Sequence, residues 1–490
     1  MPDNPYFKAF EHRQPPNWAP FSRRRATVWH GLAGATVAFS ALYLHWRWTA
    51  SLNPDALLFS IAVALAETLF FLGTLIFYFD IWDEGDTPRA RPPTTRAEAA
   101  LDQAPGAPIT VDIFITTYDE DADVVRPSIA DAQAVRVPPG HTVAIWLLDD
   151  GRRDSFRAIA KDSGVGYLTR PDNRGFKAGN LRNALFHTGG DFVVICDADT
   201  RLFPSFLENT LGYFQDPQVA WVQTPHWFYD IPEGRPWAET LAHATGLSPQ
   251  STALRWASAG LRAITGRPGS GADPFLSEPG LFFDIIQRRR NRHGASFCCG
   301  AGSVHRREAV FHGALRQLGQ DVAQVRKVCP AAPLGAVDLQ PYRFHVSEDI
   351  YTSILLQSDP QKRWTSVYHP QVEARMLSPW TMQAWATQRL KYAGGTFDIM
   401  IHANPIWRRG MPWRTKLHYA ATFWSYLACL WAPIMLVAPV LSLMTGMAPV
   451  RAYSLEFFAH FLPAILVSEL AMVAAAKGHD IQAGRTMALG

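Results

Sequence analysis

The sequence predicts an α/β domain with a mainly parallel sheet, inserted between two hairpins of transmembrane helices. Three observations support this fold class. Two long apolar stretches come early in the chain and two come late. A long polar region lies between the two pairs, and within it short β-rich runs alternate with amphipathic helical patterns. Such an alternation is typical of parallel sheets covered by helices on both faces.

The four apolar stretches each approach the length of about 20 residues that a helix needs to cross a bilayer. They run roughly over 26–46, 55–79, 419–444 and 455–476. Arg23, Arg24 and Arg25 precede the first stretch, and further arginines follow the second, whereas the loop between them offers only Arg47. The positive-inside rule then places the central region in the cytosol.

The predicted organisation divides the chain into seven segments. They are a cytosolic N-terminal segment (1–25), a transmembrane hairpin (26–80), a linker (81–109), a cytosolic catalytic domain (110–395), interface helices (396–417), a second transmembrane hairpin (418–476) and a C-terminal tail (477–490). The domain carries a long insertion at about 231–280, whose function the sequence does not indicate. Because only two apolar stretches follow the central domain, either the membrane path is built differently or the chain is incomplete at its C-terminus, and we favour the second.

The charge and the cysteines argue against a nucleic-acid partner and against structural disulfides or zinc. The 490 residues carry a formal net charge of only +3, so nothing indicates a basic face for nucleic acid. The five cysteines show no CxxC spacing, which argues against a disulfide framework or a zinc site.

The strand and helix patterns alternate in a regular order along the central region. VDIFITT precedes a helix near Val124, TVAIWLLDD precedes SFRAIAK, VGYLTR precedes KAGNLRNALFHT, DFVVICDAD precedes PSFLENTLGYF, and VAWVQTP closes the series. Right-handed crossovers between these strands would place their carboxyl ends at one edge of the sheet, where open α/β sheets bind their ligands.

Acidic side chains follow two of these strands. Asp149 and Asp150 close one strand, and Asp197 and Asp199 close another. Residues two apart in an extended segment point the same way, so Asp197 and Asp199 can share one cation. Carboxylate oxygens suit Mg²⁺ or Mn²⁺, which can also bind substrate phosphates. A solvated turn or a helix cap is an equally good interpretation of an isolated Asp-x-Asp.

Phosphate groups would be held by side chains, because the chain has neither a GxGxxG nor a P-loop stretch. Lys177, Arg389 and Lys391 are the candidate cations. Each of them, considered alone, is more often an ordinary surface charge.

The ordered motifs TTYDE, DDG, FKAGNL, DAD, QTPHWFYD, FCCG, SEDI and QRLKY resemble those of the inverting family-2 glycosyltransferases, most closely the cellulose synthase group. The resemblance covers about residues 110–395. It implies a GT-A fold, a UDP-glucose donor, a Mg²⁺ or Mn²⁺ cofactor and a growing β-glucan as acceptor. It also implies a multi-pass protein of the bacterial inner membrane, with periplasmic export subunits as further partners.

The resemblance also implies roles for individual residues. The donor would be bound by Thr116, Tyr118, Glu120, Asp149, Asp150, Lys177, Gln388, Arg389 and Lys391, and its metal by Asp197 and Asp199. Asp349, with Glu348 beside it, would be the general base. The acceptor sugar and the entrance to the channel would be lined by Tyr392, Phe297, Cys299, His226 and Trp227. Aromatic residues of this kind can equally be anchors at a membrane interface.

The family's usual Gln-x-x-Arg-Trp is replaced here by a motif that ends in Lys391 and Tyr392. Lysine keeps the charge but loses the bidentate fork of arginine, and tyrosine offers a smaller ring. Ser347 replaces the common Thr before Glu348, and Thr200 stands where His is common. These departures leave the linkage open between β-1,4, β-1,3 and mixed.

The sequence therefore predicts a processive inverting β-glucan synthase. Two alternatives remain: a non-processive enzyme that transfers one sugar to a lipid phosphate, and an inactive scaffold of a polysaccharide export complex.

Overall fold

The computed structural model describes residues 5–101, 106–231, 235–265, 269, 279–333, 335, 337–379, 381–477 and 479. The chain forms two compact units. The first comprises Met1–Trp18, Gly85–Ile231 and Arg290–Lys416, and the second comprises Ala19–Glu84, Pro232–Arg289 and Leu417–Gly490. The tail predicted at 477–490, except Lys477 and His479, and part of the insertion at 231–280 lie outside the described residues.

The strands form a seven-stranded sheet and a smaller three-stranded sheet in the described part of the first unit. In chain order they are β1 Ile109–Thr117, β2 His141–Asp149, β3 Gly166–Leu168, β4 Phe192–Asp197, β5 Arg201–Leu202, β6 Val219–Gln223, β7 Trp227–Phe228, β8 Ser303–Arg306, β9 Thr365–Tyr368 and β10 Ala374–Met376. The large sheet has the order β3-β2-β1-β4-β8-β6-β9, and the small one β5-β10-β7.

The α-helices follow the predicted alternation through the first half of the catalytic domain. In chain order they are α1 Arg23–Thr49, α2 Leu57–Asp80, α3 Ala122–Gln133, α4 Asp154–Asp162, α5 Phe176–His187, α6 Phe206–Thr210, α7 Trp237–Thr245, α8 Thr252–Thr265, α9 Arg288–Arg290, α10 Arg307–Val328, α11 Glu348–Gln357, α12 Met382–His402, α13 Trp413–Leu427, α14 Ala432–Thr445 and α15 Ser454–Ala476. A π-helix spans Leu281–Gln287.

The large sheet confirms the predicted fold class, a mainly parallel GT-A type sheet. The pairs β1–β2, β1–β4, β2–β3 and β6–β9 are parallel. β8 lies antiparallel between β4 and β6, a position that the sequence patterns did not predict. The central strands are buried on both faces: Ile113, Phe114 and Val194 are fully buried, which explains why residues 113–115 of β1 and 192–196 of β4 are apolar.

The register of the central strands brings their polar ends together. Thr117, the last residue of β1, pairs with Asp149, the last residue of β2. On the other side of β1, Thr116 pairs with Asp197 at the end of β4. Parallel pairing therefore collects the acidic motifs at one edge of the sheet, as the sequence predicts.

The second unit contains three described helical segments that are long and apolar enough to cross a membrane: Pro54–Asp80, Trp413–Thr445 and Ser454–Ala476. Together with the relatives described below, they make this a membrane protein. The first predicted span, 26–46, is helical but is not among the three, because histidines, threonines and glycines lower its mean hydropathy. Its crossing of the membrane stays a prediction.

Helix α1 packs along α15 within the second unit. Trp46 donates a hydrogen bond to Glu456 at 3.0 Å, and the rings of Tyr43 and Phe461 lie 5.7 Å apart. Arg47, which the sequence analysis placed in a loop, lies inside α1 and is fully buried. It pairs with Glu67 of α2 at 2.9 Å, so Arg47 fixes two helices against each other.

Candidate active site

The candidate site lies at the carboxyl ends of β1 and β4, where Asp197 meets Lys177. The Lys177 ammonium, from the first turn of α5, forms an ion pair with Asp197 Oδ1. Thr116 Oγ1 lies 3.5 Å from the same carboxylate oxygen. The turn after β4 is closed by Thr200, whose Oγ1 accepts a hydrogen bond from the Asp197 backbone N–H at 3.0 Å. Asp197 is therefore held at the strand end with its carboxylate facing a cation.

Asp199 lies beside Asp197 in a different electrostatic environment. Its Oδ2 accepts a hydrogen bond from the backbone N–H of Leu377 at 3.1 Å. Enclosure by protein and then the charge of Asp197 raise the pKa of Asp199 to about 7. Enclosure also acts to raise the pKa of Asp197, but the Lys177 ammonium outweighs it and the pKa is lowered.

The two carboxylates fit a divalent cation. Enclosure by protein and then the charge of Asp197 both disfavour the charged form of Asp199 and raise its pKa, and a bound cation would relieve both effects. No group of three or more His, Cys, Asp or Glu side chains suited to a metal occurs in the described part of the chain. The remaining ligands of a cation held by Asp197 and Asp199 would be phosphate and water oxygens, as Mg²⁺ prefers.

Glu348 and Asp349 occupy the first turn of α11. Together with Lys177 they line a small cavity. Asp349 Oδ1 accepts a hydrogen bond from the Ile350 N–H at 2.8 Å. Enclosure by protein raises the pKa of both carboxyls, and the negative charge of Asp349 raises that of Glu348 further. Glu348 is therefore the carboxyl of the pair that keeps its proton to higher pH, and Asp349 is the one that can be deprotonated to act as a general base.

Gly300 of the FCCG motif separates the lysine from the base, a role that the sequence analysis did not assign. It has φ +84°, a left-handed conformation that favours glycine. A Cβ at this position would lie 3.5 Å from Lys177 Nζ and 3.8 Å from Asp349 Oδ2. Gly300 thus leaves the space between the two charged groups unfilled. The glycine that ends the FCCG motif was the feature of the sequence from which this role could have been predicted.

The predicted nucleotide-binding residues lie along the end of β1 and the turn after it. Thr116 Oγ1 donates to the Cys196 carbonyl at 3.2 Å. Glu120 Oε2 accepts from Thr117 Oγ1 and from the Tyr118 N–H, each at 2.8 Å. The Tyr118 ring is more than half exposed, so it is free to stack on a planar base. The turn is built by Glu120 and leaves Tyr118 available for contact with a ligand.

Asp149 is buried and joined to its own turn. It accepts hydrogen bonds from Gly151 N at 2.9 Å, from Arg153 N at 2.7 Å and from the Tyr167 hydroxyl at 3.0 Å. Arg153 also forms an ion pair with it at 3.0 Å. These contacts shape the turn after β2, and the contact of Asp149 with the nucleotide stays a prediction.

Asp150 is held by Arg170, which the sequence analysis did not single out. Both carboxylate oxygens of the buried Asp150 accept hydrogen bonds from the guanidinium at 2.7 Å. Arg170 also donates to the carbonyls of Arg174 and Phe176, at 2.5 Å and 2.7 Å. Asp150 therefore supports the loop that leads into α5 and Lys177, and its direct contact with a donor stays a prediction.

Replacing Arg170 by methionine should destabilise the protein strongly, because Asp150 would remain buried without its partner. Breaking a buried pair costs about 3–5 kcal/mol, which corresponds to a Tm lower by several degrees. Arg174→Met is the matched control, because its ion pair with Asp338 at 2.8 Å is mostly exposed and such pairs contribute about 1 kcal/mol or less. Thermal unfolding in detergent measures both; equal shifts would contradict the assigned role of Arg170.

Helix α12 carries the residues of the QRLKY motif, and it brings Tyr392 to the same site. Enclosure by the surrounding protein, followed by the negative charges of Asp349 and Asp197, raises the pKa of Tyr392 to about 12. Its ring is nevertheless about half exposed. Arg389 lies over the Trp385 ring at 5.7 Å. Gln388 is partly exposed, whereas Arg389 and Lys391 are exposed and can reach a ligand.

The predicted channel residues differ in their exposure. Phe297 is only 4% exposed and lies beneath the guanidinium of Arg290. Its place at the entrance to a channel stays a prediction. Cys299 is partly exposed, and its N–H donates to Gln223 at 2.8 Å. His226, whose Nε2 lies 2.8 Å from the Ala301 carbonyl, and Trp227 in β7 are also partly exposed.

Two family descriptions match this chain. Residues 112–311 match Glycosyl transferase family 2, and residues 275–472 match Glycosyl transferase family group 2. The first match contains Asp149, Lys177, Asp197 and Asp199. The second contains Asp349 and α12, so between them the two matches cover the whole candidate site.

Curated relatives extend the likeness to most of the chain. Cellulose synthase 1 of Komagataeibacter xylinus is 29% identical over 446 residues, which are 90% of this chain and 24% of that protein. The UDP-forming cellulose synthase catalytic subunit of Pseudomonas fluorescens is 29% identical over 437 residues, 88% of this chain and 50% of that protein. The chain thus spans between a quarter and a half of the length of these relatives.

A solved structure gives a weaker likeness. A mannosyltransferase from Pyrobaculum calidifontis, in complex with GDP-Man and Mn²⁺, is 15% identical, with a TM-score of 0.49. The similarity covers 87% of this chain and 100% of that one. At this level of similarity, the chemistry of the site has to be argued from the residues of this chain.

Proposed function

The chain belongs to the family-2 glycosyltransferases, in their cellulose-synthase-like group, and from this premise we propose that it is a processive β-glucan synthase. It would transfer glucose from UDP-glucose to the non-reducing end of a β-glucan with inversion at the anomeric carbon. The observation that carries the proposal is the enclosed carboxylate of Asp349 across the space at Gly300 from the Lys177 ammonium. One group can accept a proton while the other faces a leaving diphosphate.

Asp349 would act as the general base. Its carboxylate takes the proton from the acceptor hydroxyl as that oxygen bonds to the anomeric carbon and the bond to the diphosphate breaks. A single displacement converts an α-linked donor into a β-linked product, so no covalent intermediate on the protein is needed. A general base of this kind must lie within hydrogen-bond reach of the hydroxyl, and Tyr392 borders the same space as a platform for the terminal sugar.

Lys177 would bind the diphosphate. Enclosure acts to lower the pKa of Lys177, but Asp197 and Glu348 raise it, so the ammonium stays charged. Positive charge fixed where negative charge develops is among the most effective aids to such a reaction. Gln388, Arg389 and Lys391 are the further groups of α12 that we assign to the donor and the acceptor end.

Asp197 and Asp199 would hold Mg²⁺ or Mn²⁺. When bound, the cation supplies positive charge to the leaving diphosphate. The two carboxylates would provide oxygen ligands from the last residue of β4 and from the turn that follows it.

Removal of divalent cations should abolish synthesis. We expect protein treated with EDTA to lose its activity and to regain it with added Mg²⁺ or Mn²⁺. Asp199→Asn should raise the cation concentration needed for half-maximal activity, because one anionic ligand is lost. Rates measured against cation concentration check this. Unchanged activity after exhaustive chelation would contradict the metal assignment.

Activity should fall on acidification through the raised pKa of Asp349, because the base must be deprotonated to work. The activity is present above that pKa and is lost as the pH falls through it. The negative charge of Asp349 helps to raise the pKa of Glu348, so Glu348 is still protonated where Asp349 titrates, and Glu348→Gln should leave the acidic limb in place. The measurement is kcat/KM against pH; a clear shift of the acidic limb in Glu348→Gln would contradict this order of titration.

The apolar helices support a membrane path for the product. We propose a multi-pass protein of the bacterial inner membrane with its catalytic domain in the cytosol, where the arginines that flank the first hairpin would remain. The elongating glucan would cross the bilayer during synthesis, and periplasmic export subunits would receive it.

Incubation of membranes with labelled UDP-glucose tests the proposed donor and product. We expect a polymer that a linkage-specific β-glucanase degrades, and no comparable incorporation from labelled GDP-mannose. Methylation analysis of the polymer then distinguishes β-1,4, β-1,3 and mixed linkages. A single sugar on a lipid would favour the non-processive alternative, and a silent protein with intact fold would favour the scaffold.

A further inference from the structure

His345 connects the segment before the base to the helix that carries the QRLKY motif. Its Nδ1 accepts a hydrogen bond from the Ser347 N–H at 3.0 Å, and its Nε2 lies 2.8 Å from Asp398 Oδ2 on α12. Since Nδ1 is the acceptor, Nε2 carries the proton and donates it to Asp398. One imidazole thus bridges the residue that immediately precedes Glu348 and a carboxylate of α12.

The orientation of the imidazole is fixed by its neighbours. The Tyr351 ring of α11 meets His345 edge to face, with centroids 5.4 Å apart, and the Arg343 guanidinium lies over Tyr351 at 5.4 Å. The His345 side chain is 13% exposed, whereas Asp398 is 48% exposed. A hydrogen bond to a carboxylate exposed to this degree contributes little to stability, so the main effect of the bridge is on the position of the two segments that it joins.

Helix α12 also approaches the same segment at Gly395. A Cβ added there would lie 2.1 Å from Ser347 Oγ and 2.8 Å from Val346 Cγ1. Only glycine permits this packing distance. The segment Val346–Ser347 is therefore in direct contact with α12 at two positions, one a hydrogen-bonded bridge and the other a close approach to the helix backbone.

We propose that His345 and Asp398 are positioning residues, which hold the acceptor-binding helix α12 at a fixed place relative to the base Asp349. The inference rests on the proposed function, because it takes Asp349 as the base and Tyr392 as an acceptor contact. Asp398 lies six residues beyond Tyr392, about 9 Å along the helix. A shift of the bridge would therefore displace the acceptor sugar relative to Asp349 without touching either reacting group.

Complementary substitutions separate the two ends of the bridge. His345→Asn keeps an acceptor for the Ser347 N–H but cannot reach Asp398, whereas His345→Gln keeps a donor for Asp398 and loses the acceptor. We expect each of these, and Asp398→Ala, to lower kcat for polymerisation by about 10- to 100-fold, since misplacement by about 1 Å can cost 10²-fold. The Tm should stay close to that of the unmodified protein, and the Kd of UDP should rise by less than kcat falls, because the donor-binding residues of β1 and α5 do not depend on α12.

His402→Ala is the matched control. His402 contacts the other oxygen of Asp398 at 2.9 Å, but it is exposed and belongs to the same helix, so its removal should change kcat by less than about twofold. The double variant His345→Asn with Asp398→Ala should be no slower than either single variant, because both remove one link. Asp398→Asn, which keeps an acceptor oxygen, should recover part of the activity lost in Asp398→Ala.

Three results would overturn the proposal: a kcat within twofold of normal in His345→Asn and Asp398→Ala, additive losses in the double variant, or losses of activity that are matched by a lower Tm or by an equal weakening of UDP binding. Asp349→Asn is measured in parallel. If that variant stays active while the His345 and Asp398 variants fall together, the proposed base is wrong and the positional link stands.

Discussion

Asp349→Asn should lower the rate of glucosyl transfer by about 10²- to 10⁴-fold, the range that general-base catalysis contributes. The amide keeps the size of the side chain and can still accept the hydrogen bond from the Ile350 N–H, but it cannot take a proton from the acceptor hydroxyl. The donor-binding residues lie on β1, α5 and α12 and are unchanged, so UDP should bind almost as before.

Incorporation of labelled glucose into polymer and calorimetric binding of UDP measure these two effects separately. Asp172→Asn is a suitable control, because Asp172 is an exposed residue of the loop before α5 and its substitution should leave both measurements unchanged. Polymer formation by Asp349→Asn at a rate near that of the unmodified protein would remove Asp349 from the role of base.

Lys177→Ala should reduce kcat/KM by about 10²- to 10³-fold, comparable to the loss of one electrostatic contact to the transition state. The substitution removes the ammonium that faces the diphosphate and also leaves Asp197 without its ion-pair partner. The pKa of Asp197 should rise as a result, because Lys177 is the main group that lowers it. Weaker UDP binding should therefore accompany the slower reaction.

Steady-state kinetics with UDP-glucose and titration with UDP give the two parts of the effect. Lys161→Ala, at an exposed position of α4, removes an equal charge away from the site and serves as the control. Equal losses in both lysine variants would indicate a general effect of charge, and unchanged kinetics in Lys177→Ala would exclude the proposed contact with the diphosphate.

The sequence was sufficient to predict the central strands and the edge at which the acidic motifs meet. Residues 113–115 of β1 and 192–196 of β4 are buried, so they appear as short apolar runs, and the polar residues at the ends of the strands stand out. Asp197 and Lys177 lie together because parallel strands end at one edge and α5 follows the loop beside it. These features depend on local patterns and on the handedness of crossovers.

Other features depend on partners distant in the chain and could not be predicted from local patterns. β8 is a short strand after the insertion, and only tertiary pairing places it antiparallel to both β4 and β6. Arg170 and Asp398 look like surface charges in the sequence. In the structure, however, Arg170 forms a buried ion pair with Asp150, and Asp398 lies within hydrogen-bond distance of His345. The burial of Phe297 beneath Arg290 is likewise a feature of the folded domain that local patterns do not show.

Measurement of product length early in the reaction tests the central claim most directly. Purified protein is incubated with excess labelled UDP-glucose, the reaction is stopped after a small fraction of donor is consumed, and the products are separated by size. Processive synthesis predicts long β-glucan chains from the first time points, with few short intermediates. A ladder of short products that lengthens slowly, or a single sugar on a lipid, would contradict processive synthesis by this protein.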